Sequence, residues 1–144
     1  MPAKVISINI SKEKGTTKNP VNEAIIVENF GIKGDAHAGS HWHRQISLLS
    51  QESIEKMKDK GLSINYGDFA ENITTSGIDL MSLPVGTKLR IGEVILEISQ
   101  HGKKCHSKCE IFKTVGDCVM PREGVFTKVL KGGKIKVGDE ILVL

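Results

Sequence analysis

Aromatic side chains are scarce in this 144-residue sequence, with four phenylalanines, one tyrosine and one tryptophan. The core must then be aliphatic. The stacking set of an oligonucleotide-binding barrel is missing as well. Charge of one sign is also lacking. Twenty basic against seventeen acidic residues leave a net +3, spread along the chain. That balance calls for no nucleic-acid partner, and an anionic small ligand is at least as easily accommodated. No apolar run reaches the length of a membrane span or a signal-peptide core, so no membrane partner is expected. Cysteine is limited to three residues, an odd count, all between positions 105 and 118. A secreted disulfide scaffold has an even set spread more widely. A cytoplasmic protein with reduced thiols is expected. The glycines form neither a dinucleotide fingerprint nor a phosphate-binding loop, and there is no serine nucleophile elbow.

The length suits one compact domain, residues 1–144. Val5, Ser7 and Asn9 alternate with Lys4, Ile6, Ile8 and Ile10, the two-residue period of a strand. Glu23 to Val27 predicts a second. Leu83 to Gly92 and Glu93 to Gln100 predict a hairpin turning at Gly92, with Val94, Leu96 and Ile98 on one face. Val125, Thr127 and Val129 predict a further strand, with Gly132-Gly133 as a hairpin turn and Glu140 to Leu144 as a terminal strand. Between them lies one helix candidate. Ser50 is its N-cap, Glu52 and Glu55 lie early, Lys56, Lys58 and Lys60 lie late, and Gly61 ends it. Ile54 and Met57 would face the core. About eight short strands with frequent glycine turns predict a mainly-β fold, a closed or half-closed barrel with one or two short helices.

The chemistry concentrates between His101 and Glu123. Cys105, Cys109 and Cys118 lie here, and Lys103, Lys104, Lys108 and Lys113 surround the first two thiols. Positive charge favours the thiolate, which is both the nucleophile and the soft metal ligand. Cys118, between Asp117 and Val119-Met120, suits a buried inert thiol better. Zinc competes for the segment, because Cys105 and Cys109 with His101 and His106 make four ligands. Structural zinc, however, draws its ligands from two separated knuckles, and these four share one short stretch. The alternative function is thus a zinc-stabilised β-barrel interaction module without catalysis.

A second polar cluster holds Asp35, His37, Arg44 and Gln45. The Arg44 fork suits a phosphate or an oxo group, and Gln45 adds donors. The same residues would equally make a solvated surface loop. Gly67-Asp68-Phe69-Ala70-Glu71-Asn72 follows, a stretch that a plain turn would also explain.

Together these stretches resemble the MOSC family, the domain related to the C-terminal part of molybdenum cofactor sulfurases. The matching pieces are Gly31-Ile32-Lys33-Gly34-Asp35-Ala36-His37, Arg44-Gln45-Ile46-Ser47-Leu48, residues 67–74 and 83–92, the cysteine segment, and residues 132–139. The chain is similar to a stand-alone, single-domain member. The resemblance implies a β-barrel fold and an essential cysteine. That cysteine would bind the molybdenum cofactor, molybdopterin with its metal, or carry sulfur as a persulfide. As an enzyme the chain would be a sulfur-transfer domain or a molybdenum-dependent reductase of N-hydroxylated substrates. Lys108-Cys109-Glu110-Ile111-Phe112 fits the family pattern of a basic residue before the cysteine and apolar residues after it, with Lys where Arg is more usual. Cys109 is therefore expected as catalytic residue and metal ligand, with Cys105 as its neighbour. Asp35, His37, Arg44, Gln45, Asn72 and Lys108 are expected to hold the cofactor. The expected partners are the cofactor or a persulfide donor, and an acceptor molybdoenzyme or an electron-transfer protein.

Overall fold

The computed structural model describes residues 3–13, 17–36, 38–59, 61, 64–102 and 123–144. The described strands, in chain order, are β1 (Lys4–Ile10), β2 (Asn19–Val21), β3 (Glu23–Val27), β4 (Gly31–Ile32) and β5 (Ile46–Ser50). After the helix α1 (Gln51–Lys58) come β6 (Ile73–Ser76), a single 3-10 turn (Leu80–Ser82), β7 (Lys88–Ile91) and β8 (Val94–His101). β9 (Val125–Lys131), β10 (Gly133–Lys136) and β11 (Ile141–Val143) complete the set. No helix among the described residues is long and apolar enough to cross a membrane.

The mainly-β expectation holds, and the helix forms with the predicted N-cap and charge order, but ends at Lys58 with Asp59 as its cap rather than at Gly61; Lys60 lies outside the described residues. Ser50 Oγ accepts the Ser53 amide at 3.0 Å, Glu52 sits in the first turn, and Lys56 and Lys58 sit in the last. Each end thus carries the charge that offsets the helix dipole. Ile54 and Met57 are buried beneath it. The β7–β8 hairpin also forms, with Ile91 opposite Val94.

The barrel does not close. Eight strands make one sheet in the order β11-β7-β8-β9-β5-β6-β1-β2, and β10, β3 and β4 make a second. Among the described residues the edges of the large sheet meet around the start of β1, where the Ile141 amide donates to the Ala3 carbonyl at 2.9 Å. There Lys4 bridges Glu140, and Val5 exchanges backbone hydrogen bonds with Gly138 and Asp139. The reason lies in β1 itself. Its residues Ile8 to Ile10 already pair with β2 on one side, and β6 holds the other. Only the first residues of β1 have a free edge to offer, so no ladder closes.

The Gly132-Gly133 hairpin is also not formed. β8 runs along one edge of β9 as far as Lys131; on the other edge β5 covers Val125 to Thr127, and the Gln45 side chain and the Asn29 amide take up the Val129 backbone. A returning strand has no edge there. β10 crosses instead to the second sheet, where Gly133 faces Ile26 of β3.

The core is aliphatic, as composition required. Ile8, Leu48, Ile73, Leu89, Leu96, Ile98 and Val125 pack inside the large sheet. A second cluster lies under α1, where Leu49, Ile54 and Met57 meet Phe69 and Phe126. β5 separates the two clusters, so Ile46 to Leu49 are buried on both faces. β5 and β6 pair in parallel, with α1 in the crossover between them.

A buried polar seam joins β5, β6 and β1. Asn72 Oδ1 accepts the Ser47 amide at 2.9 Å, and its amide nitrogen donates to the Asn9 carbonyl at 3.2 Å. The Asn9 amide nitrogen donates to the Glu71 carbonyl and to Thr74 Oγ1, both at 3.2 Å. Glu71 Oε2 accepts from Thr74 Oγ1 at 2.8 Å and from the Gly67 amide at 3.1 Å. Asn9, Glu71, Asn72 and Thr74 are all fully buried. Glu71 Oε1 has no hydrogen-bond partner among the described residues. Burial therefore dominates and raises the Glu71 carboxyl above its usual 4.5, while the bonds from Gly67 and Thr74 oppose it.

The unfolded chain releases the Glu71 proton near its usual value, while the folded chain keeps it. The stabilising effect of the neutral carboxyl is complete below pH 4.5 and is lost as pH rises towards the raised folded value. Glu71→Gln keeps a neutral side chain at every pH. Urea titrations should show the variant gaining on the native chain by about 1.4 kcal/mol per pH unit in that window. A constant difference would mean that Glu71 is charged in the fold. Gly67 has a φ of +91°, and a Cβ there would lie 2.3 Å from the Lys18 carbonyl oxygen. Gly86 has a similar φ of +97° but open space around it. By the same measurement Gly67→Ala should cost about 3 kcal/mol or more and Gly86→Ala about 1 kcal/mol. Equal costs would remove the close approach as the cause.

Candidate functional site

β8 and β9 are joined by a neck at Gly102 and Gly124, and the cysteines lie between these two residues in the sequence. The Gly102 amide donates to the Gly124 carbonyl at 2.6 Å, so the chain leaves and returns at one point. Cys105, Lys108, Cys109 and Cys118 lie between these glycines, outside the described residues, and His37 lies outside them too. The neck and its surroundings are the described part of the site.

Both sides of the neck are anchored. On the β8 side, the His101 ring nitrogen Nε2 bonds to the Leu83 carbonyl at 2.5 Å. On the β9 side, Glu123 Oε1 accepts from Ser53 Oγ at 2.7 Å and from Lys56 Nζ at 3.1 Å, both on α1. A groove of about 440 Å³ opens beside Glu123, lined also by Ser50, Glu52, Lys56 and Asp79.

Arg44 stands at the same end of the sheet. It precedes β5 and is half-buried. Its Nε donates to Gln100 Oε1 at 3.1 Å, and its guanidinium carbon lies 5.2 Å from the centre of the Phe126 ring. Gln100 in turn donates from Nε2 to the Gly102 carbonyl at 2.7 Å. The terminal guanidinium nitrogens bond to no described residue. One edge of the fork is thus fixed by an amide and a ring face, and the other edge is left for an anion.

The other expected cofactor contacts are turned inward. Asp35 Oδ1 accepts from Lys18 Nζ at 2.7 Å and from the Ser11 amide at 3.1 Å, and both ionic side chains are fully buried. Lys18 Nζ also donates to Ser11 Oγ at 3.0 Å. This buried pair holds the turn after β4 against the end of β1. Gln45 donates to Asn29 Oδ1 at 3.1 Å and to the Gly39 carbonyl at 3.2 Å, and accepts the Val129 amide at 3.0 Å. It ties the loop before β5 to β9. The Asn72 amide is engaged in the seam between β5 and β1. Arg44 therefore points to the neck, while Asp35, Gln45 and Asn72 hold the frame around it.

Among the residues of consequence that the sequence reading does not mark are Lys18, Glu71 and Gln100. Lys18 and Glu71 carry no pattern that separates a buried ionisable group from a solvated one. Gln100 does carry a signal. It continues the two-residue face of Val94, Leu96 and Ile98, so a polar side chain stands in an apolar register. A bulge between Ile98 and Gln100 marks the same place in the structure. Bulges of this kind re-aim a side chain near a site.

Among the described residues no group of three or more His, Cys, Asp or Glu side chains could hold a metal ion. A soft metal ligand would have to come from the cysteines of residues 103–122. Arg44, with half of its fork unengaged, fits the anionic part of a phosphate-bearing group.

Comparison with solved structures gives close agreement in fold. The YuaD protein from Bacillus subtilis superposes with a TM-score of 0.80 at 22% identity, over 98% of this chain and 94% of that one. YiiM from Geobacillus stearothermophilus gives 0.74 at 20% identity, over 99% and 75%. YiiM from Escherichia coli gives 0.68 at 18% identity, over 99% and 68%. At these identities the likeness is one of fold. No curated protein matches the chain by sequence. The family model described as the MOSC domain matches residues 33–142, from the turn after β4 to the terminal strand and across the whole neck. This chain belongs to the MOSC domain family.

Proposed function

We propose that the chain acts through a cysteine of the segment held by the neck, Cys109 first with Cys105 beside it, to bind the molybdenum cofactor or to carry sulfur for it. The observation that supports this reading is the Arg44 fork, held beside the base of that segment with its outer nitrogens unengaged. When bound, the cofactor would supply the two-electron chemistry of molybdenum. The chain's own residues would do the rest. Lys103, Lys104 and Lys108 favour the thiolate at Cys109 and Cys105. Arg44 grips the phosphate or oxo groups, with His37 and Lys108 adding positive or hydrogen-bonding groups around it. Asp35, Gln45 and Asn72 keep the supporting loops and strands in place. Phe126 keeps one face of the guanidinium dry.

The sulfur-carrying form of the reaction balances without a further oxidant. The Cys109 thiolate attacks the outer sulfur of a donor persulfide. The donor's S–S bond breaks, the donor leaves as a thiolate, and Cys109 becomes a persulfide. An acceptor molybdoenzyme would take that sulfur. In the cofactor-binding form the partner is an electron-transfer protein.

The test is molybdenum and cyanide-releasable sulfur per chain, after expression in a host that makes the cofactor. The native chain is compared with Cys109→Ser, Cys105→Ser and Arg44→Gln. Cys109→Ser should lose the bound species. Arg44→Gln should weaken retention of molybdenum about tenfold, as loss of a charge-assisted contact implies. Neither molybdenum nor releasable sulfur in the native chain, with zinc near one per chain, would overturn this reading in favour of a zinc-stabilised interaction module.

A further inference from the structure

We propose that Gln100 is a positioning residue of this site, whose single side-chain amide aims the Arg44 fork, sets the proton of the neutral His43 ring on Nε2, and ties both to the base of the cysteine segment. The inference rests on the functional reading above for what the site binds. Its geometry stands apart from that reading.

Arginine Nε can only donate, and the Gly102 carbonyl can only accept. Gln100 touches both, at 3.1 Å through Oε1 and at 2.7 Å through Nε2. Its amide orientation is thereby fixed by chemistry. Oε1 then also faces His43 Nε2 at 2.6 Å. An amide oxygen carries no proton, so His43 must donate from Nε2. In the neutral ring the lone pair is left on Nδ1. His43 is exposed, and its ring makes no bond to any other described residue. The neck thus presents a proton acceptor, His43 Nδ1, beside a donor fork, the outer nitrogens of Arg44. A second hydrogen bond holds the arrangement in place, because Ser99 Oγ donates to the His43 carbonyl. Ser99 Oγ also reaches the Phe126 carbonyl at 3.1 Å, joining this loop to β9. A ligand group that both accepts and donates, such as a singly protonated phosphate, matches this pair.

The test uses the intact chain with Gln100→Leu and Gln100→Glu. Leucine removes the shared acceptor. Glutamate keeps an oxygen towards Arg44 and His43, loses the donor to Gly102 and adds a negative charge. Nitrogen NMR should find the native His43 ring protonated on Nε2, and an Arg44 Nε–H that exchanges more slowly than that of the exposed Arg90. Gln100→Leu should lose both signatures and Gln100→Glu should keep them. Retained molybdenum or releasable sulfur should fall about tenfold in Gln100→Leu. A native His43 protonated on Nδ1 would overturn the proposal. So would a folded Gln100→Leu chain with both signatures unchanged. Should Gln100→Leu fail to fold, the native tautomer and Gln100→Glu still decide. A native chain that holds neither molybdenum nor sulfur would sink the functional reading alone, because the ring and exchange measurements need no ligand.

Discussion

The side-chain amide of Asn72 is the constraint on which the rest of the fold depends. It sits where three strands must be held at one depth, with β5 on one side and β1 on the other. The site is fully buried, so each polar group there must find a partner inside the protein. Ser47, Asn9, Thr74 and Glu71 supply those partners in a chain. Apolar packing would hold these strands together as well, but it is tolerant of register. Hydrogen bonds are not. The seam fixes where β5 begins and so fixes where Arg44 and Gln45, the residues just before it, can stand. From there the geometry of the neck follows.

Local physics was legible in the sequence. The alternation in β8, the Ser50 cap and the Gly92 hairpin each depend on residues a few positions apart, and each formed as read; β1 formed as a strand, but with Ser7, Ile8 and Asn9 all buried rather than one apolar face. Non-local pairing was not legible. Gly132-Gly133 has hairpin chemistry, yet both edges of β9 were already taken, a fact no nearby residue records. Barrel closure failed to appear for a related reason, since β1 spends its edges on β2 and β6. The family resemblance supplied what periodicity could not, the relation among stretches far apart in the chain.

The site was harder to read than the fold. Asp35, Gln45 and Asn72 are the residue types that grip anions, and they are equally the types that satisfy buried backbone. Sequence carries no sign of which way such a side chain turns. The neighbours decide: Lys18 draws in Asp35, and the Val129 amide draws in Gln45. Arg44 escapes this because Phe126 covers one face of it and a single amide oxygen holds one nitrogen. Gln100 was visible in principle, as a polar residue on an apolar face, and its meaning came only with the bulge that turns it.

The hydrogen bond between Gly102 and Gly124 has a consequence for what this scaffold can become. A chain segment whose two ends are already joined feels its own length only weakly, since each doubling adds about 0.6 kcal/mol of closure entropy. The sheet on either side does not have to be redesigned when the insert changes. Residues 103–122 can therefore be viewed as an exchangeable cartridge, with the neck as its socket. New reactive sequences could be tried there while the arginine, the glutamine and the seam stay as they are.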